Sequence, residues 1–460
     1  MRPAPLPARL MATAIPVLGF LLAAASARLA CFPTLQGQSA NLLLLLVAMV
    51  ACFVGALFIA RRLGRDMAPG RAGSIDSIVL SWPLLLVVGL LMRLPLLLAP
   101  PQMSDDIYRY VWDGRVARSG VNPYRHAPPD TALSQLRDLD WSRLNNPTLP
   151  TIYPPTAQRL FEAAAHVLPG VTGLKMLLLL FDLAVGLILA VRVAALPADR
   201  WRFLVWWWHP LAAIEWSGSG HVDVAGIALL VLAFILANSK GHGRGRWIAV
   251  GAMVAAATMV KFLALLALPF LLGPRRAWGW IALGFVLTLL VGYLPYMAPD
   301  TNAFGSLGTY AARWRANDFF FGLLVRPGTL VDQPGRLTEA KLYAALLVGA
   351  IATAVALIRA RPAVAIATVT GSALLLSPTI HPWYLAWLLP FVAINFSVSW
   401  FYVTLASLLS YQAVPAWIEG RQSGDPAGSK MFLAIPFLLL LGWESRRWIL
   451  NRGHHPGSGS

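Results

Sequence analysis

Apolar residues fill most of this chain in blocks of roughly 20, the length that crosses a bilayer as a helix. The blocks fall at 11–31, 41–60, 78–99, 171–195, 201–217, 223–238, 247–272, 278–298, 341–359, 363–378, 384–396, 398–414 and 430–444. This pattern predicts an all-α polytopic membrane protein of about 13 transmembrane segments. One stretch interrupts it most sharply. Met103 to Tyr124 is polar and charged, and it follows directly on the apolar run that ends Leu97-Leu98-Ala99-Pro100-Pro101. Asp105 and Asp106 therefore stand where a helix leaves the bilayer, followed by Tyr108, Arg109, Tyr110, Trp112, Arg115 and Arg118. Residues 105–118 read as an interfacial helix. Its spacing puts Asp106, Arg109 and Asp113 on one side, which predicts Asp106–Arg109 and Arg109–Asp113 pairing. The proline-rich segments after it (Asn122-Pro123-Tyr124, Pro128-Pro129, Thr151-Ile152-Tyr153-Pro154-Pro155) predict a stiff, irregular loop over 100–170.

Composition supports a membrane protein. Only 12% of residues are charged, against about 25% in soluble domains, and 58% are hydrophobic. The net charge of +17 sits in short basic loops at 61–65, 199–202, 240–246, 275–276, 359–361 and 446–447, and no nucleic-acid motif accompanies it. By the positive-inside rule all six loops face the cytoplasm. A single crossing over 247–272 would put Arg244 and Arg246 on one side and Arg275 and Arg276 on the other. A broken or re-entrant hairpin turning near Lys261 keeps both pairs inside, and irregular backbone at depth is tolerated where it lines a cavity. The same parity places the loops at 100–170 and 299–339 and the Ser377–Tyr384 motif on one extracytoplasmic face. Cys31 and Cys52 imply no disulfide framework, residues 11–31 read as an uncleaved first helix, and the polar end of the chain reads as a disordered tail over 451–460.

The candidate chemistry lies at the interruptions. A carboxylate of the Asp105–Asp106 pair at the membrane surface can act as a general base toward an acceptor hydroxyl; capping of the interfacial helix is the structural alternative. Arg93, Asp182, Glu215 and Lys261 are charges inside apolar segments and so count as functional candidates. Structural pairing of the acids with Arg93, Lys175 or a histidine is the competing reading. Lys261, at the hairpin tip, suits a phosphate. His221 and Asp223 follow Gly218 and Gly220 in a tight turn, and two such residues make only a weak metal pattern. Arg313 and Arg315 alternate with tryptophan, and His381 stands between two prolines. Asp138-Leu139-Asp140 is a formal DxD with no nucleotide-binding motif around it. No cofactor is indicated, and a divalent metal is left open.

Five motifs in order resemble the GT-C-fold integral-membrane glycosyltransferases, in particular the bacterial polyprenyl-phosphate-mannose-dependent mannosyltransferase-like branch. They are SDDIYRYVWDGR with VNPY at 104–124, TIYPP at 151–155, WHPLAAIEWSGSGHVD at 208–223, Lys261 with Leu268-Pro269, and SPTIHPWYLAWLLP at 377–390. The resemblance implies a catalytic membrane core over 78–396, an N-terminal two-helix addition over 1–77 and C-terminal helices over 397–450. It implies inverting transfer of one sugar, mannose or another hexose, from a polyprenyl-phosphate donor to an extracytoplasmic glycan or lipid acceptor, in the inner membrane. Asp105 or Asp106 would be the base, and Arg109, Tyr153, His221, Asp223, Lys261, Arg313, Arg315, His381 and Tyr384 would bind substrate. The rival reading is a secondary transporter or lipid-linked sugar flippase, for which paired interrupted helices in two halves are expected; the chain shows no such repeat.

Overall fold

The structure is a computed structural model. It describes residues 8–66, 80–193, 197–241, 243–298, 301–325, 334–420 and 427–453. The chain divides into two units, Met1–Leu35 with Val47–Trp314, and Gln36–Leu46 with Arg315–Ser460. That boundary differs from the one read at 396–397. Of the tail at 451–460, the first three residues extend the last helix and the rest lies outside the described residues.

The first unit holds α1 (Ala8–Ala30), most of α2 (Ser39–Asp66), α3 (Trp82–Leu98), α4 (Asp106–Arg118), α5 (Pro155–Val167), α6 (Val171–Val193), α7 (Trp201–Trp207), α8 (Asp223–Ala237), α9 (Arg244–Thr258), α10 (Trp278–Tyr293) and α11 (Leu307–Arg313). Among the described residues six helices have the length and apolar composition to cross a membrane, and four shorter apolar helices accompany them. Leu180, Leu187 and Val191 on α6 and Leu290 and Val291 on α10 are exposed, as a lipid-facing side requires. The protein is a multi-pass, all-α membrane protein.

Charges placed inside this apolar unit are paired. Arg93 of α3 and Asp182 of α6 have no exposed side-chain surface and meet at 2.5 Å. Arg93 also donates to the carbonyls of Gly89 (3.1 Å) and Trp207 (2.7 Å), and its guanidinium lies 3.9 Å from the Trp207 ring centroid. Trp206 Nε1 donates to the same aspartate at 2.9 Å, so three helices are tied at one point. Lys175, also fully buried, donates to the carbonyls of Leu96 (3.2 Å) and Ala99 (2.8 Å). It thereby satisfies the open C-terminus of α3, where a cation is favoured by the helix dipole. The structural reading of Arg93, Asp182 and Lys175 thus describes their place.

The run predicted at 201–217 is not one helix. Pro210 lacks the N–H needed to continue α7, and a π-helical stretch over Ala213–Ser219 ends at Gly220 in the left-handed region (φ 72°). The run at 247–272 is broken as the charge pattern required. α9 stops at Thr258, Lys261 is extended (φ −154°), and a 3-10 helix covers Phe262–Phe270. Gly273 then packs flat against the Trp247 ring, so the segment ends beside the point where it began. Lys240, Arg246 and Arg276 line one pocket there. α9 is 15 residues long, which sets Lys261 roughly 22 Å from that basic end. α10 packs on α9 so closely that a Cβ at Gly251 would strike the Ile281 carbonyl and one at Gly284 the Ile248 carbonyl.

The second unit contains α12 (Pro334–Leu357), α13 (Pro362–Leu375), α14 (Val398–Ala406) and α15 (Ala427–Gly453), with a proline-broken run between α13 and α14. Phe321, Leu337, Ala340 and Ala344 form a buried cluster. Glu444 of α15 accepts from Ser397 Oγ and the Val398 amide, both at 2.7 Å, capping the start of α14.

Asp182→Ala should leave Arg93 buried without its partner, which typically costs about 3–5 kcal/mol; thermal denaturation in detergent should show a large drop in midpoint. Single cysteines at Ser239 and Arg276 should react with an impermeant thiol reagent from the same side of the membrane, and cysteines at Ser134 and Asn302 from the opposite side. Labelling of Ser239 and Arg276 from different sides would contradict the hairpin.

Candidate active site

α4 starts where α3 ends, across a five-residue polar turn pinned by Lys175 at Ala99. Ser104 Oγ accepts from the Asp106 amide at 3.3 Å, and neither Asp105 nor Asp106 spends its carboxylate on capping. Both carboxylates instead accept from one amide: Asn145 Nδ2 lies 3.0 Å from Asp105 Oδ1 and 2.6 Å from Asp106 Oδ1. Burial pushes both carboxyls above the usual carboxylate range. For Asp106 the value reaches about 7, from burial first and then the adjacent Asp105 charge, against the opposing influence of Lys261 and Asn145.

Of the expected stripe along α4, only one pair forms. Arg109 Nε donates to Asp113 Oδ1 at 2.9 Å, while its other nitrogens donate to the carbonyls of Leu149 (2.8 Å) and Asn146 (3.4 Å). The guanidinium is drawn toward the loop and away from Asp106, so the expected Asp106–Arg109 pair gives way to these carbonyls. Arg109 is buried and holds the loop that presents Asn145.

Asp106 faces His221. His221 Nδ1 is 3.7 Å from Asp106 Oδ2 and 3.5 Å from Tyr110 Oη, and its Nε2 is 3.4 Å from Glu215 Oε2. Gly220 makes this contact feasible: its backbone is left-handed, and a Cβ there would collide with Ile107 Cδ1 of α4. Beside His221, Asp223 is buried and pairs with Lys261 at 2.7 Å, while the lysine is 27% exposed. The hairpin tip carrying Lys261 is fastened to the start of α5 by the Ala157 amide, which donates to the Met259 carbonyl at 3.2 Å. Tyr153, just before α5, packs edge-on to Tyr110 (centroids 4.8 Å apart), which stacks on Phe161 (4.7 Å). Tyr124 Oη donates to the Tyr153 carbonyl at 2.6 Å, fixing that turn.

The fold thus gathers Asp105, Asp106, Tyr153, His221, Asp223 and Lys261, and adds Asn145, Tyr110 and Glu215. Nothing in the sequence marked Asn145, which sits in an irregular loop without periodicity. Arg313 ends α11 with its side chain exposed. Arg315, His381 and Tyr384 belong to the second unit. There a parallel bridge joins Ala316 to Thr379, His381 stacks on Trp383 (4.4 Å) with Tyr384 edge-on (5.3 Å), and Arg315 Nε donates to Asp318 at 2.8 Å. The DxD has a structural use. Asp138 pairs with Arg115, which chiefly holds its carboxyl below the usual range, and it also accepts from the amides of Trp141 and Asp140. Among the described residues no group of three or more His, Cys, Asp or Glu is arranged to hold a metal ion.

Residues 8–274 match the family model described as alpha-(1->6)-mannopyranosyltransferase, N-terminal domain. The chain belongs to the MptA_B family. A curated member-like relative, alpha-(1->6)-mannopyranosyltransferase A of Corynebacterium glutamicum (strain ATCC 13032), is 27% identical over 225 residues, covering 47% of this chain and 43% of that protein. The aligned stretch is therefore under half the length of the relative. No solved structure matches. The MptA_B match includes α1 and α2, so these helices are part of the family's domain, whereas the motifs had placed them outside it. The whole Asp105–Lys261 cluster lies inside the match; Arg313, Arg315, His381 and Tyr384 lie beyond it.

Asn145→Ala tests how the carboxylates are held. The amide favours both ionised carboxylates, so its contribution exists only where they are charged. The variant's thermal midpoint should fall little near about pH 4.5 and more as pH rises through about 7, the value of Asp106. A deficit that shrank with rising pH would mean that Asn145 does not bind the ionised pair.

Proposed function

We propose that this protein transfers mannose from polyprenyl-phosphate mannose to a mannose-containing glycan acceptor at the extracytoplasmic face of the cell membrane, forming an α-(1→6) linkage with inversion. The observation that carries this is the carboxylate pair at the end of α3, one member of which faces a buried His–Glu pair and a lysine, within the stretch that matches the MptA_B family. The basic pocket at the far end of the α9 hairpin supports the facing: basic loops belong to the cytoplasmic side, and the cluster lies at the other end.

In this reading Asp106 is the base. Its position between solvent and the buried cluster, 23% exposed, lets an acceptor hydroxyl reach it, and a value near 7 suits proton abstraction at neutral pH. The acceptor's C6 oxygen attacks the anomeric carbon as its proton passes to Asp106. The bond from the anomeric carbon to the phosphate oxygen breaks, and polyprenyl phosphate leaves as an anion that needs no proton. Inversion to an α product requires a β-linked donor. Lys261, paired with Asp223 and partly exposed at the hairpin tip, meets the phosphate charge in both ground and transition states. Asp105, tied to the same Asn145 amide, raises the basicity of Asp106 by its own charge. The acceptor chemistry comes from the name of the Corynebacterium relative.

The purified protein is incubated with polyprenyl-phosphate mannose and octyl α-(1→6)-dimannoside, and release of polyprenyl phosphate is followed. Asp106→Asn should cut turnover by about 10²–10⁴-fold with donor binding retained, and Asp105→Asn by much less. Lys261→Ala should chiefly raise the apparent donor KM. A dead, well-folded Asp105→Asn beside a near-normal Asp106→Asn would reverse the two aspartates. No product from the wild type would end the reading.

A further inference from the structure

His221 stands between two carboxylates, and the mechanism above gives it no proton to move. Each ring nitrogen faces an acid: Nδ1 toward Asp106 Oδ2 (3.7 Å) and Nε2 toward Glu215 Oε2 (3.4 Å). A neutral imidazole carries one N–H and one lone pair, so one of these carboxylates would then look at a lone pair. Only the imidazolium presents a donor to both. The side chains of His221 and Glu215 have no exposed surface, and a buried carboxylate is costly unless a cation compensates it.

The backbone is shaped for this placement. The π-helical stretch over Ala213–Ser219 widens the turn around Glu215, and the amides of Gly220 and His221 both donate to the Glu215 carbonyl. π-turns of this kind concentrate at functional positions. The groups around the pair are Asp106 and Tyr110 from α4, Ser219 from the π stretch, Asp223 from α8, Lys261 from the hairpin tip, Lys175 from α6, packed against Gly220, and, beyond Asp106, Asp105 and Asn145. Counted as ionised, Asp106, Glu215 and Asp223 set three carboxylates against Lys261, while Lys175 spends its ammonium on the carbonyls of Leu96 and Ala99. A second cation at His221 leaves one net negative charge, the one that a base at Asp106 needs. When Asp106 takes the acceptor's proton, this inner group becomes neutral.

We propose that His221 works as an imidazolium held by Glu215 and is the positioning residue that keeps Asp106 ionised and aimed at the acceptor. The functional half of this inference rests on the transfer reading above; the protonation state of His221 does not.

Two experiments on the full chain test it. The first is the pH profile of kcat and kcat/KM in the dimannoside assay. The wild type should show a bell, falling on the acid side as Asp106 protonates and on the alkaline side as His221 loses its proton. His221→Gln should abolish the alkaline fall and move the acid limb up by about one pH unit, because Asp106 loses a neighbouring cation. Glu215→Gln should move the alkaline limb to lower pH, since the imidazolium keeps only one of its two carboxylates. A uniform loss at every pH in both variants would reduce His221 and Glu215 to packing and overturn the proposal.

The second needs no turnover: thermal midpoints of wild type and His221→Gln across pH. A histidine that gains acidic partners on folding has its folded pKa above its unfolded value of about 6.5. Its stabilisation is complete below that value and is lost as pH rises through the folded pKa. The wild-type margin should therefore be largest in acid and shrink toward alkaline pH. A margin that is flat or grows with pH would show a neutral imidazole, with the shared proton on Glu215, and would end the proposal whatever the transfer assay shows. If His221→Gln does not fold, Glu215→Gln and His221→Asn carry the same two measurements.

Discussion

Arg93 and Asp182 have no exposed surface, and the geometry of the first unit follows from the need to keep them together. An arginine in an apolar bundle can be accommodated only with a carboxylate and with carbonyls to absorb its remaining donors. Asp182 supplies the first, and Gly89 and Trp207 supply the second. The contact fixes α3 against α6 and α7. Once α3 is fixed, Lys175 on α6 reaches its last carbonyls, and the chain leaves the bundle where it must to start α4 with two aspartates. The acidic pair is thus placed by buried charges roughly one to two turns deeper along α3 and α6.

The other side of the cluster is placed by a break. A continuous helix over 247–272 would carry Lys261 through the apolar interior. Stopping α9 at Thr258 and returning the chain as a 3-10 helix instead leaves the lysine at a tip, beside Asp223 and under the Pro154–Pro155 turn. The α4 carboxylates and the hairpin cation come from segments more than a hundred residues apart. They meet because each is anchored to α5: Arg118 donates to the Ala165 carbonyl and Ala157 to the Met259 carbonyl.

Much of this was legible in the sequence, for physical reasons. Hydrophobic runs report helices directly, and the two arginine pairs flanking 247–272 reported a hairpin that no hydropathy profile shows. The interfacial helix read at 105–118 forms over Asp106–Arg118. The direction of Arg109 was not legible. Helical spacing offers it Asp106 and Asp113 equally, and only the carbonyls of Asn146 and Leu149, far along the chain, decide between them. Asn145 was invisible for the same reason: a residue whose value lies in bridging two groups forty positions away leaves no local signature. The DxD at 138–140, read as only a formal match, caps a 3-10 turn.

The backbone contact between α9 and α10 constrains how this protein can be altered. Replacing a mid-helix glycine by alanine ordinarily favours the helix by about 1 kcal/mol. Gly349 in α12, with open space around its Cα, fits that expectation. Gly251 and Gly284 invert it, because a methyl at either would press on a carbonyl oxygen of the facing helix. The first would move the hairpin that carries Lys261; the second would move the helix against which that hairpin is braced. Helix propensity and the packing that places Lys261 therefore pull in opposite directions at these two sites, and a stabilisation strategy based on propensity alone would loosen the protein there.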